Sequence, residues 1–183
     1  MAAPALADTL YSNGPINGTL GFYVFQGGCQ VSDSFTPGGA SNLTGAQIGV
    51  WIIPPQTPTS VDWSIGTTPF GSDISSGTAS ILSNTLTGGL GAGYYPLAED
   101  DFALSGTPAA GTYYLTLGNF ASGYWDQNSG PSAAYYTGGG QLPSESFQLY
   151  GSLDGAVTPE PASLVLLSSG ILIFAGFMRK FTS

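Results

Sequence analysis

Short stretches in which apolar and polar residues alternate, or in which β-branched and aromatic residues run together, recur along the chain between clusters of Gly, Pro, Ser and Asn. Residues 19–26, 47–53, 60–65, 78–86, 102–104, 112–117, 133–137 and 144–150 read in this way as strands. Pro37-Gly38-Gly39, Pro54-Pro55, Gly88-Gly89, Pro108-Ala109-Ala110-Gly111 and Gly138-Gly139-Gly140 supply the breaks between them. Between residues 8 and 157 nothing sustains a 3.6-residue period for three turns, so this span reads as all-β. A segment of that length readily buries a single core. The strand spacing predicts one β-sandwich, with jelly-roll connectivity as one way of joining the strands. The pattern does not fix their order.

The pattern changes after Thr158. Residues 163–178 are uncharged and mostly apolar on all sides, and Arg179-Lys180 follow them at once. Sixteen residues at helical rise span about 24 Å, slightly short of a hydrocarbon layer of about 30 Å, and Ala162 and the flanking residues cover the difference. A buried core helix is the alternative for so short a run. The basic pair and the all-round apolarity favour one transmembrane helix, with a short cytoplasmic tail and the large body outside. The expected organisation is residues 1–7, an all-β body over 8–157, and a terminal segment over 158–183.

Charge sharpens this picture. The chain holds eleven Asp and Glu, two basic residues and no His, and both cations lie in the last five positions. Everything from Met1 to Met178 therefore carries a formal charge of −11. A body without a cation cannot neutralise phosphates, which excludes DNA and RNA as partners. It also lacks the usual cationic handles for nucleotides and for anionic headgroups. With no His and no Lys in the body, the commonest general base and any Schiff-base lysine are missing, so the chain is read as no enzyme, with no cofactor. Cys29 has no His or Lys to activate it and reads as a small buried or half-buried residue. Glycine-rich stretches without a Lys do not make a phosphate loop. Asn17-Gly18-Thr19 and Asn42-Leu43-Thr44 match the glycosylation acceptor pattern but read as turn chemistry.

Pro159-Glu160-Pro161, the short apolar run and the terminal Arg179-Lys180 together resemble the PEP-CTERM protein-sorting domain. The resemblance covers residues 158–181 and implies an exported bacterial protein. It also implies processing near the triplet by a membrane-embedded exosortase and delivery to the cell surface or to extracellular polysaccharide. By position, Pro159, Glu160 and Pro161 would form the recognition motif, and Arg179 and Lys180 the stop signal. The family's tail usually carries more Arg and Lys than these two. Two prolines one residue apart enforce an extended backbone that cannot join the helix, which gives a processing enzyme an exposed strip to grip. The run through residues 110–117, 124–131 and 142–147, with Tyr113-Tyr114 and Tyr124-Trp125-Asp126 in it, also resembles a β-sandwich ectodomain found in such proteins, for which the resemblance implies no activity. At the other end, Ala5 and Ala7 before Asp8 fit the small-x-small pattern of a signal-peptide cleavage site, and predict a longer precursor carrying the basic and apolar parts of that signal.

Three constellations in the body could carry chemistry. Glu99, Asp100 and Asp101 are adjacent carboxylates that would bind Ca²⁺ only with help from carbonyls, Asp126 or Asn128; a solvated acidic turn is the alternative. Tyr124, Trp125 and Asp126 combine rings with short polar groups and could stack on a sugar and hold its hydroxyls; aromatic residues filling a core are the alternative. Paired carboxylates for glycoside hydrolysis need a defined separation across a cleft, and the sequence identifies no such pair. The favoured expectation is a non-catalytic surface or matrix protein, with a displayed carbohydrate-binding module as the runner-up.

Overall fold

The computed structural model describes residues 8–23, 28–121 and 123–154. Residues 1–7 and 158–183, with the expected cleavage site, sorting triplet, helix and basic tail, lie outside them. Among the described residues no helix is long and apolar enough to cross a membrane.

The described chain is all-β. Its strands are β1 (Asp8–Ser12), β2 (Leu20–Tyr23), β3 (Gln30–Phe35), β4 (Ser41–Ile52), β5 (Ser60–Gly66), β6 (Ser75–Gly91), β7 (Tyr95–Gly106), β8 (Tyr113–Gly118), β9 (Gly123–Asn128), β10 (Ala134–Tyr136), β11 (Gly140–Leu142), β12 (Ser144–Glu145) and β13 (Phe147–Leu153). They form one antiparallel sheet in the order β1-β13-β4-β7-β6-β5-β8-β3-β10-β11, with β9 attached to β4 and joined in turn by β2 and β12.

The sheet curls about β6. Ser75 to Ser80 pair with β5, whereas Ile81 to Gly91 pair with β7, and a register shift between Ile81 and Ser83 marks the change of partner. An extra residue in one strand bends it and increases its twist, which is what a sheet needs in order to fold over on itself. Two limbs result. The first carries β1, β13, β4, β7, the second half of β6, and β9 with its partners; the second carries the first half of β6, β5, β8, β3, β10 and β11.

Both limbs feed one core. Strand alternation directs Val61, Trp63 and Ile65 of β5 and Leu115 and Leu117 of β8 inward from the second limb. Ile48, Val50, Phe102, Phe147 and Leu149 meet them from the first. Gly77 lies opposite Trp63, and a Cβ there would sit 3.3 Å from the indole, so the absent side chain makes room for the ring.

Several expected elements are longer or differently bounded than the pattern suggests. Residues 102–104 are only a part of the twelve-residue β7, and 78–86 only a part of the seventeen-residue β6. Gly88-Gly89, expected to be a turn, lies inside β6 within a register shift between Leu86 and Leu90. The turn comes three residues later, at Ala92 and Gly93, both at positive φ (48° and 80°), the conformation of a tight hairpin that matches strand twist. β1, β3, β9 and β11 were not anticipated, because DTLYS, QVSDSF, GYWDQN and GQL are too polar to read as half-buried strands.

Candidate functional site

The run Ile48-Gly49-Val50-Trp51-Ile52 is apolar on both faces of β4, and both faces are covered. Ile48, Val50 and Ile52 enter the core, while Trp51 points to the opposite, outer face and is still only 5% exposed. Glycines make this possible. A Cβ on Gly91 would lie 2.4 Å from the Trp51 ring and one on Gly21 3.0 Å from it, so neighbouring strands pass flush against the indole. Tyr95 and Tyr124 flank it with ring centroids at 6.3 and 6.2 Å, and Tyr94 packs tilted against Tyr95 at 4.3 Å. Tyr94 is 65% exposed, and its pKa is raised first by repulsion from the ionised form of Tyr95 and then by a hydrogen bond with it.

Asp126 closes the arrangement. Its Oδ1 accepts the Trp51 Nε1 proton at 2.6 Å and the Gly18 amide at 2.9 Å, and its Oδ2 accepts the Asn17 amide at 2.8 Å. The carboxylate thus pins the link between β1 and β2 across the outer face of the first limb. Burial raises its pKa, and the Trp51, Asn17 and Gly18 hydrogen bonds oppose that shift.

The expected sugar constellation is split by this geometry. Tyr124 and Asp126 face outward, but Trp125, one residue away, is fully buried in the core. Its indole donates to the Ser146 carbonyl at 2.8 Å and packs edge-on to Phe147. Trp125 is therefore a core aromatic, as the alternative reading had it, and Asp126 has its oxygens engaged by the protein.

Alternation divides the acidic triplet in the same way. Asp101 faces outward and accepts from Gln47 Nε2 at 3.1 Å and from the Ser83 hydroxyl. Asp100, between Glu99 and Asp101, faces inward, exposes no surface, and receives the Asn84 amide on Oδ1 while Oδ2 has no partner. Burial pushes its pKa up to about 7; the Asn84 bond opposes the rise and the Asp101 charge adds to it. The three carboxylates do not converge, and among the described residues no group of three or more His, Cys, Asp or Glu is placed to hold a metal ion. Cys29 is half-buried before β3.

A second buried acid cluster was not legible in the sequence. Asp33, on the inner face of β3 between Val31 and Phe35, accepts the Glu145 amide at 2.7 Å and the Ser34 amide at 2.7 Å. Asn13 Nδ2 lies 2.9 Å from Asp33 Oδ2, 2.8 Å from the Glu145 carbonyl, and 2.6 Å from the hydroxyls of both Ser132 and Ser144. Glu145 itself is fully buried, with Gln127 Nε2 on Oε1 at 3.1 Å and no partner on Oε2. Burial pushes Asp33 up to about 6 against the pull of its hydrogen bonds, and burial together with the Asp33 charge raises Glu145 well above the usual carboxylate range. Asp33 and Asp100 therefore have their titration points near neutral pH. These groups tie β1, β3, β9 and β12 together beneath the surface.

A scan against models of known protein families matches none of them, and no curated protein matches the chain. The assignment of function rests on the residues themselves.

Proposed function

We propose that the chain is an exported, non-catalytic surface or extracellular-matrix protein: a β-sandwich ectodomain whose layers are the two limbs of the curled sheet, sorted through its C-terminal segment. The observation that carries this reading is the order of three features at one end of the chain. Pro159-Glu160-Pro161 precedes an apolar run over 163–178, and the basic pair Arg179-Lys180 follows. That order supports a cleavable strip outside the membrane and a stop signal inside it. The body supports the reading by its chemistry. Eleven carboxylates without a counter-cation keep the exported portion soluble and repel it from anionic surfaces. The buried acids are used to tie strands together.

The test is intact mass and fractionation of the precursor in a host with its exosortase, comparing the native chain with a Glu160→Ala, Pro161→Ala double variant. Loss of the C-terminal segment and release to the surface fraction, abolished in the variant, is the expected result. Retention of the segment by both forms would overturn the sorting reading. A second reading, a displayed carbohydrate-binding module, is favoured by an open polar groove on the second limb.

A further inference from the structure

The outer face of the second limb is built by register. Across β6, β5, β8 and β3, the residues paired in sequence are Ser76, Ser64, Thr116 and Ser32 in one row, and Thr78, Asp62, Gly118 and Gln30 in the next. Side chains paired in this way stand on the same face. Two parallel rows of hydroxyl, carboxylate and amide groups therefore run across four strands. Gly118 interrupts the second row, and the Gln30 side chain lies over it, with Cγ 3.0 Å from where a Cβ would stand. The result is an open groove of about 370 Å³, within the range of roughly 300–1,000 Å³ typical of small-molecule sites.

The loop between β5 and β6 forms one wall, and it is fixed in place. Asp73 accepts the Thr67 amide and the Thr67 hydroxyl, each at 2.9 Å, and these bonds hold its pKa below the usual value. The Gly71 amide donates to the Thr68 carbonyl at 2.9 Å, and the Ser64 hydroxyl donates to the Gly71 carbonyl at 2.9 Å. Gly66 and Gly71 touch so closely that a Cβ on Gly66 would fall 2.4 Å from the Gly71 carbonyl carbon.

At the tip of this loop Phe70 is held at φ 62°, a left-handed conformation that costs a bulky residue of order 1–3 kcal/mol. Its amide donates to Ser32 Oγ at 3.2 Å, and that same oxygen accepts the Thr116 hydroxyl at 2.9 Å. The floor of the groove therefore clamps the backbone of its wall. A strained, half-buried aromatic residue beside a preorganised polar floor is an arrangement that packing alone does not require, since the ring lies outside the core cluster.

We propose that this groove binds a neutral sugar unit of a polysaccharide, stacked on Phe70 and hydrogen-bonded by Asp62, Gln30 and the serines of the rim. Apolar C–H faces and a dense ring of hydroxyls are what a flat ring beside short polar side chains complements. Asp62 keeps acceptor capacity beyond the two bonds it makes, to the Thr78 hydroxyl at 2.5 Å and to Asn119 Nδ2 at 3.1 Å. The groove lining holds one carboxylate and no cation, so it repels uronic acids, sulfates and phosphates and selects an uncharged ligand. This rests on the carbohydrate-binding reading and is independent of sorting, because purified protein tests it without an exosortase.

The experiment is saturation-transfer NMR and titration of the full-length chain in detergent with mannohexaose, cellohexaose and xylohexaose, and with oligogalacturonate as the anionic comparison. One neutral hexasaccharide is expected to bind and oligogalacturonate is not. Phe70→Gly keeps a residue suited to φ 62° while removing the ring, and is expected to weaken binding about tenfold or more, as loss of a central contact does. Gln30→Ala should weaken it too, and Tyr94→Ala, on the other limb, should leave it unchanged. Thermal melts of each variant separate lost binding from lost folding. Failure of all three neutral sugars to bind at millimolar concentration would overturn the proposal. So would tighter binding of oligogalacturonate, or a loss of binding caused by Tyr94→Ala and not by Phe70→Gly.

Discussion

The Trp51 end of the first limb's outer face and the outer face of the second limb each carry an aspartate and an aromatic ring, and use them differently. On the first limb, the link between β1 and β2 is tied back across the face by Asp126, and Trp51 is sealed beneath strands that carry Gly21 and Gly91. On the second limb the loop that carries Phe70 reaches Ser32 and forms one wall, and an open groove lined by Asp62 and Gln30 remains beside it. An aspartate and an aromatic ring thus become structural on one face and remain available on the other. Accessibility, more than residue type, separates a strut from a binding group.

Breaking the sealed face should have the largest effect. Trp51→Ala removes a buried indole and deprives Asp126 of a donor, and is expected to cost about 3–5 kcal/mol in denaturant unfolding. Asp62→Ala on the open face should cost less than about 1 kcal/mol, because its partners are exposed. Equal losses from the two substitutions would erase the distinction between the faces.

The next effect concerns the acids beneath those faces. Asp100 and Asp33 have folded pKa values of about 7 and about 6 against a reference of 3.8, so the folded state binds protons more tightly than the unfolded chain. The stability they contribute is fully present below about pH 4 and is lost as pH rises through 6 to 7, the reverse of a salt-bridged carboxylate. For Asp100 alone the change is on the order of 4 kcal/mol. Melting temperature should therefore fall between pH 5 and 8. Asp100→Asn should flatten the profile, stabilising the protein at pH 8 with little change at pH 4. A melting temperature that rises over this window would refute the assignment.

The smallest effect is expected at Phe70. Replacement by Gly relieves the left-handed strain while removing a half-buried ring, and these opposing contributions should leave stability within about 1 kcal/mol of the native value. A thermal melt checks this, and a large loss would make Phe70 a structural residue like Trp51.

Strand identity was legible wherever one face is apolar and the other polar, as in Val61, Trp63 and Ile65 against Ser60, Asp62 and Ser64. It was hidden in β3 and β9, where Asp33 and Gln127 occupy inward positions that a hydrophobic pattern assigns to solvent. Their burial depends on partners distant in sequence, Glu145 and Asn13 among them, so no local window reports it. The acidic triplet and Tyr124-Trp125-Asp126 misled for a related reason. Neighbours in sequence look like a cluster, but a strand sends them to opposite faces.

By itself the sequence determined that the body is all-β, that it carries no cation with which to hold phosphate, and that its end has a composition unlike the rest. These follow from side-chain period and charge, which are local or additive properties. The tertiary structure alone decided which carboxylates are buried, which aromatic residues are sealed, and that Asp62, Gln30 and Phe70 share one groove. Those facts depend on strand register and on the curl at β6, and both are set by hydrogen bonds and packing between residues far apart in the chain.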